Sequence, residues 1–191
     1  MKAKDPRASQ VLHFWFGEPP GARDKRWFEK SAAFDAEIRA LFADLCDEAA
    51  AGRLAQWQAN PRDCLALVLV LDQLTRNIYR GEARAFAADS LALDAARTIV
   101  AHGWDREMLP VERMFAYLPF EHSETLADQL RGCELMEGLS AYPETADAHF
   151  WAVKHRDIIR RFGRFPHRNA ALGRASTPAE LEFLKEPGSG F

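Results

Sequence analysis

Apolar residues recur three and four positions apart along most of the chain, and polar residues occupy the positions between them. Leu126, Leu130, Cys133 and Met136 show this spacing in one segment. A second stripe contains His155 among aromatic and isoleucine side chains. Because an α-helix has 3.6 residues per turn, such spacing places the apolar side chains on one side of an amphipathic helix.

Helix starts are marked by capping residues that precede proline at Asp5, Asn60 and Thr177, and Ser123 is a further predicted N-cap. Glycines typical of helix C-termini follow at Gly17, Gly52, Gly103 and Gly163. We predict helices at 6–16, 25–51 (either continuous or broken near Ser31), 61–76, 84–101, 110–118, 124–140, 144–162 and 178–185, with short turns at 54–57 and 166–172.

The continuous apolar run Leu65–Leu71 fits either a buried strand or a helix that is apolar all round. Its start at Asn60-Pro61 and its length favour a central helix, and a single strand forms no sheet. The loops are short, so successive helices should pack as antiparallel hairpins. The sequence thus predicts one all-α domain over residues 1–191, with roughly eight helices.

Composition and charge exclude several classes of protein. The 191 residues are 48% hydrophobic with a net charge of −3, which argues against disorder and against a nucleic-acid-binding function. The three cysteines lie in apolar surroundings with no metal-ligand spacing, as in a reducing compartment. The N-terminal residues lack a signal-peptide core, and the longest apolar run is too short for a membrane span, so we expect a cytoplasmic protein.

The first candidate functional segment is the end of the central helix. Asp72 and Arg76 are four residues apart, as are Gln73 and Asn77, and Arg80 follows. In a regular helix these side chains continue the inward-facing line of apolar residues. They form either a self-contained network built on an Asp72–Arg76 ion pair or the floor of a polar pocket.

The second candidate segment spans residues 154–174 and has a net charge of +6 in an acidic chain. Arg164, His167, Arg168 and Asn169 lie beyond the glycine that ends the preceding helix. Arginine binds carboxylates and phosphates through its planar guanidinium, so this segment is either an anion site or a set of internal ion pairs.

The third candidate segment is Glu121-His122-Ser123-Glu124. Adjacent residues do not make a catalytic triad, and Ser123 is explained by capping. His122 remains a candidate acid or base, and His155, on an apolar stripe, is either a core histidine or a partner for Asp72 or Glu112. No pattern for a metal, dinucleotide, phosphate loop or esterase elbow occurs, so we predict no metal and no cofactor.

Several long segments resemble the bacterial domain-of-unknown-function 924 family. They are 11–17, 26–30, 71–81, 117–124 and 161–169, and the resemblance covers nearly the whole chain. It implies a compact all-α fold similar to tetratricopeptide-like arrays and implies no activity, cofactor or catalytic residue. The family often has proline where this chain has Thr75, so here we expect the central helix to continue without a kink.

The leading functional hypothesis is an internal pocket that binds a small anionic ligand or the acidic end of a peptide. Arg76, Arg80, Arg164 and Arg168 would hold the anion. Asp72, Gln73, Asn77 and Asn169 would orient those arginine side chains or the ligand, and His122, His155 and His167 would move protons if chemistry occurs. The alternatives are a helical-repeat scaffold for protein partners and a small-molecule hydrolase that uses His122 or His155. The sequence leaves the oligomeric state open.

Overall fold

The computed structural model describes residues 2–190, and this part of the chain is helical without β-strands. The α-helical segments, labelled α1 to α9, are Pro6–Phe16, Ala32–Ala50, Pro61–Val68, Thr75–Ile78, Asp89–Ala101, Pro110–His122, Leu126–Glu137, Ala148–Phe162 and Pro178–Phe183. The π-helical segment Leu69–Leu74 joins α3 to α4. Short 3₁₀ turns occupy Lys25–Trp27, Ala55–Ala59, Ala83–Ala85, Trp104–Glu107, Pro143–Thr145 and Pro166–Arg168. The all-α prediction is confirmed.

Helix termini follow the predicted capping chemistry in most places. The side chains of Asp5, Asn60 and Thr177 accept hydrogen bonds from the first turns of their helices. Ser31 caps α2, so the predicted segment 25–51 is divided there. Gly163 ends α8 with a φ of 71°, a left-handed backbone conformation that is unfavourable for residues with a side chain.

The continuous helix built from α3, the π-segment and α4 lies at the centre of the core. It packs against α1, α2, α5 and α6, and its residues from Cys64 to Leu74 are all buried. Along the second half of the chain, α5, α6 and α7 each pack against the next helix in sequence. None of the helices between residues 2 and 190 is long and apolar enough to cross a membrane.

The central helix is not regular, contrary to the sequence prediction. Leu69–Leu74 has π-helical hydrogen bonding, and the Thr75 hydroxyl donates to the carbonyl of Leu71 at 2.7 Å. A π-segment widens the turn and changes the direction in which the following side chains project. Such segments are frequent at functional sites, and this one carries Asp72 and Gln73.

Helix α6 is longer than predicted. We expected it to end at Leu118, before Pro119, but it continues to His122. Proline removes one backbone donor, yet Phe115, Tyr117 and Phe120 are buried around it, and their packing outweighs that loss. Ser123 is therefore the C-cap of α6, and the prediction that it caps the next helix is wrong.

Candidate active site

A cavity of about 700 Å³ opens between the C-terminal part of the central helix, α6 and α8. Its polar wall residues are Arg23, Glu29, Lys30, Gln73, Arg76, Asn77, Arg80, Glu121, His122, Asp147 and His155. Its apolar wall residues are Trp27, Phe28, Met114, Leu118, Met136, Ala148 and Trp151, and Gly188 and Gly190 also contribute. This volume and mixed lining are typical of small-molecule sites.

Asp72 and His122 form a hydrogen-bonded pair at the cavity wall. His122 Nδ1 lies 2.8 Å and 2.9 Å from the two carboxylate oxygens of Asp72. Gln73 Nε2 donates to Asp72 Oδ2 at 2.7 Å, and Arg76 lies 3.4 Å from Oδ1. Asp72 is fully buried behind the wall, whereas His122 lines the cavity. The carboxylate thus fixes the imidazole by its Nδ1 side.

The surroundings of this pair determine its charges. Burial by itself would raise the pKa of Asp72, but Arg76 and the hydrogen bonds from His122 and Gln73 hold that pKa well below its usual range. Burial lowers the pKa of His122, and Arg76 and Arg168 lower it further against the opposing effect of Asp72. At neutral pH the stable state is an Asp72 carboxylate beside a neutral His122. Nδ1–H then donates to the carboxylate, and Nε2 carries the lone pair.

A second histidine–carboxylate pair lies beside the first. His155 Nδ1 lies 2.9 Å from Glu121 Oε1 and 2.9 Å from the carbonyl oxygen of Trp151. The rings of His122 and His155 are 6.1 Å apart in an edge-to-face arrangement. Of the two alternatives for His155, its burial agrees with a core histidine. Its carboxylate partner is Glu121 rather than Asp72 or Glu112, which pair with His122 and with Arg62 (2.7 Å).

Arg76 forms the predicted ion pair with Asp72, but its main partner is a residue that sequence reasoning missed. Its NH1 and NH2 groups donate to the two oxygens of Asp89 at 3.0 and 3.1 Å. Arg168 donates to the same carboxylate at 3.1 Å and lies behind the cavity wall. Burial and the neighbouring Arg76 lower the pKa of Arg168 to about 10. The partly exposed Arg76 and the buried Arg168 therefore share Asp89, whose negative charge compensates part of the positive charge that was expected to bind an anion.

The remaining predicted residues divide between the cavity and the surface. Arg80 and Asn77 line the cavity, and both donate to Asp35, Arg80 through two bonds of 2.7 and 2.8 Å. Arg164 lies outside the cavity and forms two hydrogen bonds with Glu180, because Thr177 and Glu180 cap α9 beside it. The expectation that Arg164 joins the other arginines is therefore corrected.

Asn169 and His167 also lie away from the wall. Asn169 is buried and bonds Ser176 and Arg174, so it holds the turn after Arg168 together. His167 packs against Phe165, and burial followed by the charge of Arg168 lowers its pKa to about 3. Both residues support the segment that carries Arg168, and neither reaches the cavity wall.

Ser123 takes no part in a triad with its neighbour His122. Its hydroxyl donates to Asp128 at 2.8 Å and accepts from the Thr125 backbone. The described wall contains no serine, threonine or cysteine, and no group of three His, Cys, Asp or Glu residues within 2–190 is arranged as a metal site. The wall therefore offers imidazole, carboxylate and guanidinium chemistry.

Comparison with known proteins places the chain in a family. The sequence model of the family described as "Bacterial protein of unknown function (DUF924)" matches residues 11–188, so the chain belongs to that family. A protein of unknown function from Agrobacterium tumefaciens, whose structure has been solved, is 39% identical in sequence to this chain, and the two structures superpose with a TM-score of 0.84. That likeness covers 94% of this chain and 97% of the other. No curated protein matches the sequence.

Proposed function

We propose that this member of the DUF924 family is an enzyme that hydrolyses an ester or amide bond in a small molecule. The observation that carries the proposal is the fully buried Asp72 carboxylate, which holds Nδ1 of the cavity-lining His122 at 2.8 Å. In this proposal His122 is the general base, and Asp72 is the residue that positions it. A histidine held in this way by a carboxylate is the arrangement of many hydrolases.

The proposed reaction uses water as the nucleophile, because the described wall has no hydroxyl or thiol side chain to form a covalent intermediate. His122 Nε2 accepts a proton from water while the water oxygen bonds to the carbonyl carbon of the substrate. The bond from that carbon to the leaving oxygen or nitrogen then breaks. The proton passes from the imidazolium to the leaving group, which returns His122 to its neutral form.

The charge of the site supports each partner's role. A neutral imidazole is required to accept the proton, and the lowered pKa of His122 provides it at neutral pH. Asp72 stays ionised and stabilises the imidazolium that forms during the reaction. Arg76 lines the same wall, but Asp72 and Asp89 already compensate its charge, so the proposal assigns Arg76 no role in stabilising the oxyanion.

Binding of a small anion or an acidic peptide end is a second candidate function. Arg23, Lys30, Arg76 and Arg80 all line the cavity, which favours it. Three of them already pair with Asp147, Asp89 and Asp35, so their charges are largely compensated. This pairing makes anion binding the weaker candidate.

A scaffold for protein partners has less support. Trp15, Trp27 and Trp57 are buried in the core, and among the five tryptophans only Trp151 is exposed. A contiguous aromatic docking surface would need several such residues together.

Hydrolysis should depend on His122. With a panel of nitrophenyl esters and anilides of small acids, we expect His122→Gln to lower kcat/KM by about 100-fold or more, the usual contribution of a general base. In the unmodified protein kcat/KM should rise with pH and level off once His122 is neutral. The control is Glu112→Gln, which alters a buried ion pair with Arg62 outside the cavity wall and should retain activity.

Two results would contradict the proposal. One is the absence of turnover above that of heat-denatured protein across the whole panel. The other is equal turnover by His122→Gln and the unmodified protein, since this would assign any activity to another site. Circular dichroism of each variant checks that the fold is retained.

A further inference from the structure

Glu121 has one carboxylate oxygen that the protein leaves without a donor. It lies in the last turn of α6, lines the cavity and is only 3% exposed. Its Oε1 lies 2.9 Å from His155 Nδ1, whereas Oε2 is buried and accepts no hydrogen bond. Buried carboxylate oxygens in folded proteins are almost always hydrogen-bonded. The unpaired oxygen in a cavity wall therefore points to a donor on a ligand.

The neighbouring donors are engaged elsewhere. His122 Nδ1 is held by both oxygens of Asp72. His155 Nδ1 is shared between Glu121 Oε1 and a backbone carbonyl. Gln129, beside the end of α6, donates its amide to the carbonyls of Glu121 and Ser123. These bonds also hold the Glu121 carboxylate and its backbone in place, so that Oε2 is a preorganised acceptor.

Charge and lining select the kind of donor. A compact ammonium group carries three donors and a positive charge, and it forms shorter and stronger hydrogen bonds to a carboxylate than a hydroxyl does. Met114, Leu118 and Met136 line the cavity with Glu121. An amine attached to an apolar body would satisfy the buried charge and fill the apolar part of the wall.

We infer that Glu121 binds the ammonium group of the substrate, and that the substrate is a primary amine with an apolar body, such as an amino-acid ester or amide. The hydrolysable bond rests on the proposed function, whereas the recognition of the amine does not. His155 then acts as a positioning residue that orients the Glu121 carboxylate.

The test uses probes that contain no hydrolysable bond. Calorimetry with the full chain compares 2-phenylethylamine with 2-phenylethanol, which have the same apolar body and differ in the donor. We expect the amine to bind about 10-fold more tightly or better, as a charge-assisted bond to a buried carboxylate requires. Equal affinities, or no binding of the amine, would overturn the inference.

The variant Glu121→Gln keeps the shape of the side chain and removes its charge. It should weaken amine binding about 10- to 100-fold and leave the alcohol unchanged. The matched control is Glu29→Gln, because Glu29 also lines the cavity but is exposed and screened, so the amine's affinity should change less than about 2-fold. Equal losses in both variants would mean general attraction to an acidic wall and would also overturn the inference.

The two proposals fail in different ways. Selective amine binding without turnover would refute the hydrolase and leave amine recognition standing. Turnover that depends on His122, with no preference for the amine, would refute only the role of Glu121. If Glu121→Gln does not fold, the comparison of the two probes on the unmodified protein still decides the matter.

Discussion

Two histidine–carboxylate pairs lie side by side in this protein, and they differ in how completely their carboxylates are satisfied. Asp72 accepts hydrogen bonds from His122 and Gln73 and has Arg76 at 3.4 Å. Glu121 is almost as deeply buried, but only one of its oxygens has a partner in the protein. The first carboxylate belongs to the internal framework of the fold, whereas the second is incomplete without a ligand.

This difference follows from where each carboxylate lies along its helix. Asp72 belongs to the π-helical segment of the central helix, which directs it behind the cavity wall among charged groups. Glu121 belongs to the last turn of α6, where it contacts His155 on one side and lines the cavity on the other. Burial alone therefore does not distinguish a carboxylate that stabilises the fold from one that binds a ligand. The number of hydrogen-bond partners that the protein provides does.

The largest expected effect is on stability when the satisfied carboxylate is neutralised. Asp72→Asn should lower the free energy of unfolding by about 3 to 5 kcal/mol, because it breaks a buried ion pair and a neutral amide replaces the acceptor of His122. Urea unfolding at pH 7 measures it. Glu112→Gln serves as control with a smaller loss, since Glu112 pairs with Arg62, whereas Asp72 pairs with both Arg76 and His122. A loss below about 1 kcal/mol for Asp72→Asn would contradict the framework role.

The same pair should make stability depend on pH, with an intermediate effect. The pKa of His122 is below its ordinary value in the folded protein, so as the pH falls the unfolded chain takes up the proton first. The contribution of His122 to the free energy of unfolding is therefore complete above about pH 6.5, and it is lost as the pH falls from there to the pKa of His122 in the folded protein. The total loss is about 1.4 kcal/mol for each unit by which the folded pKa lies below the unfolded pKa. Asp72 continues the loss below about pH 4, since its folded pKa is also lowered.

Urea unfolding between pH 8 and pH 5 tests this dependence. In His122→Gln the slope of stability against pH below about 6.5 should be shallower, while above pH 7 it should match that of the unmodified protein. Some slope should remain, because burial and Arg168 also lower the pKa of His167, to about 3. Identical slopes in the two proteins would show that His122 does not lose its proton on folding.

The sequence predicts the fold better than it predicts the site, for physical reasons that particular residues show. Helix starts at Asp5, Asn60 and Thr177 depend on contacts within one turn, and all three were found. The extension of α6 past Pro119 depends on tertiary burial, which local propensity does not contain. The π-segment was likewise missed, because the sequence shows only a helical apolar run.

Within the site, the Asp72–Arg76 pair was predicted because it spans four residues of one helix. The partners that decide the chemistry are distant in sequence. His122 lies 50 residues from Asp72, and Asp89 lies 79 residues from Arg168. The sequence therefore suggests that Arg76, Arg80, Arg164 and Arg168 bind an anion, whereas in the structure each forms an ion pair with a carboxylate of the protein. Glu121 was visible beside His122, but nothing in the sequence indicates an oxygen without a donor.

The smallest expected effect concerns the unsatisfied carboxylate. Glu121→Gln should change the free energy of unfolding by less than about 1 kcal/mol. The substitution weakens the contact with His155, but His155 Nδ1 keeps the carbonyl of Trp151 as a partner. It also removes a buried negative charge, which is costly because Oε2 accepts no hydrogen bond from the protein. Urea unfolding beside Asp72→Asn gives the contrast directly. Comparable losses in both variants would make both carboxylates part of the framework, and the case for Glu121 as an amine-binding group would lose its physical ground.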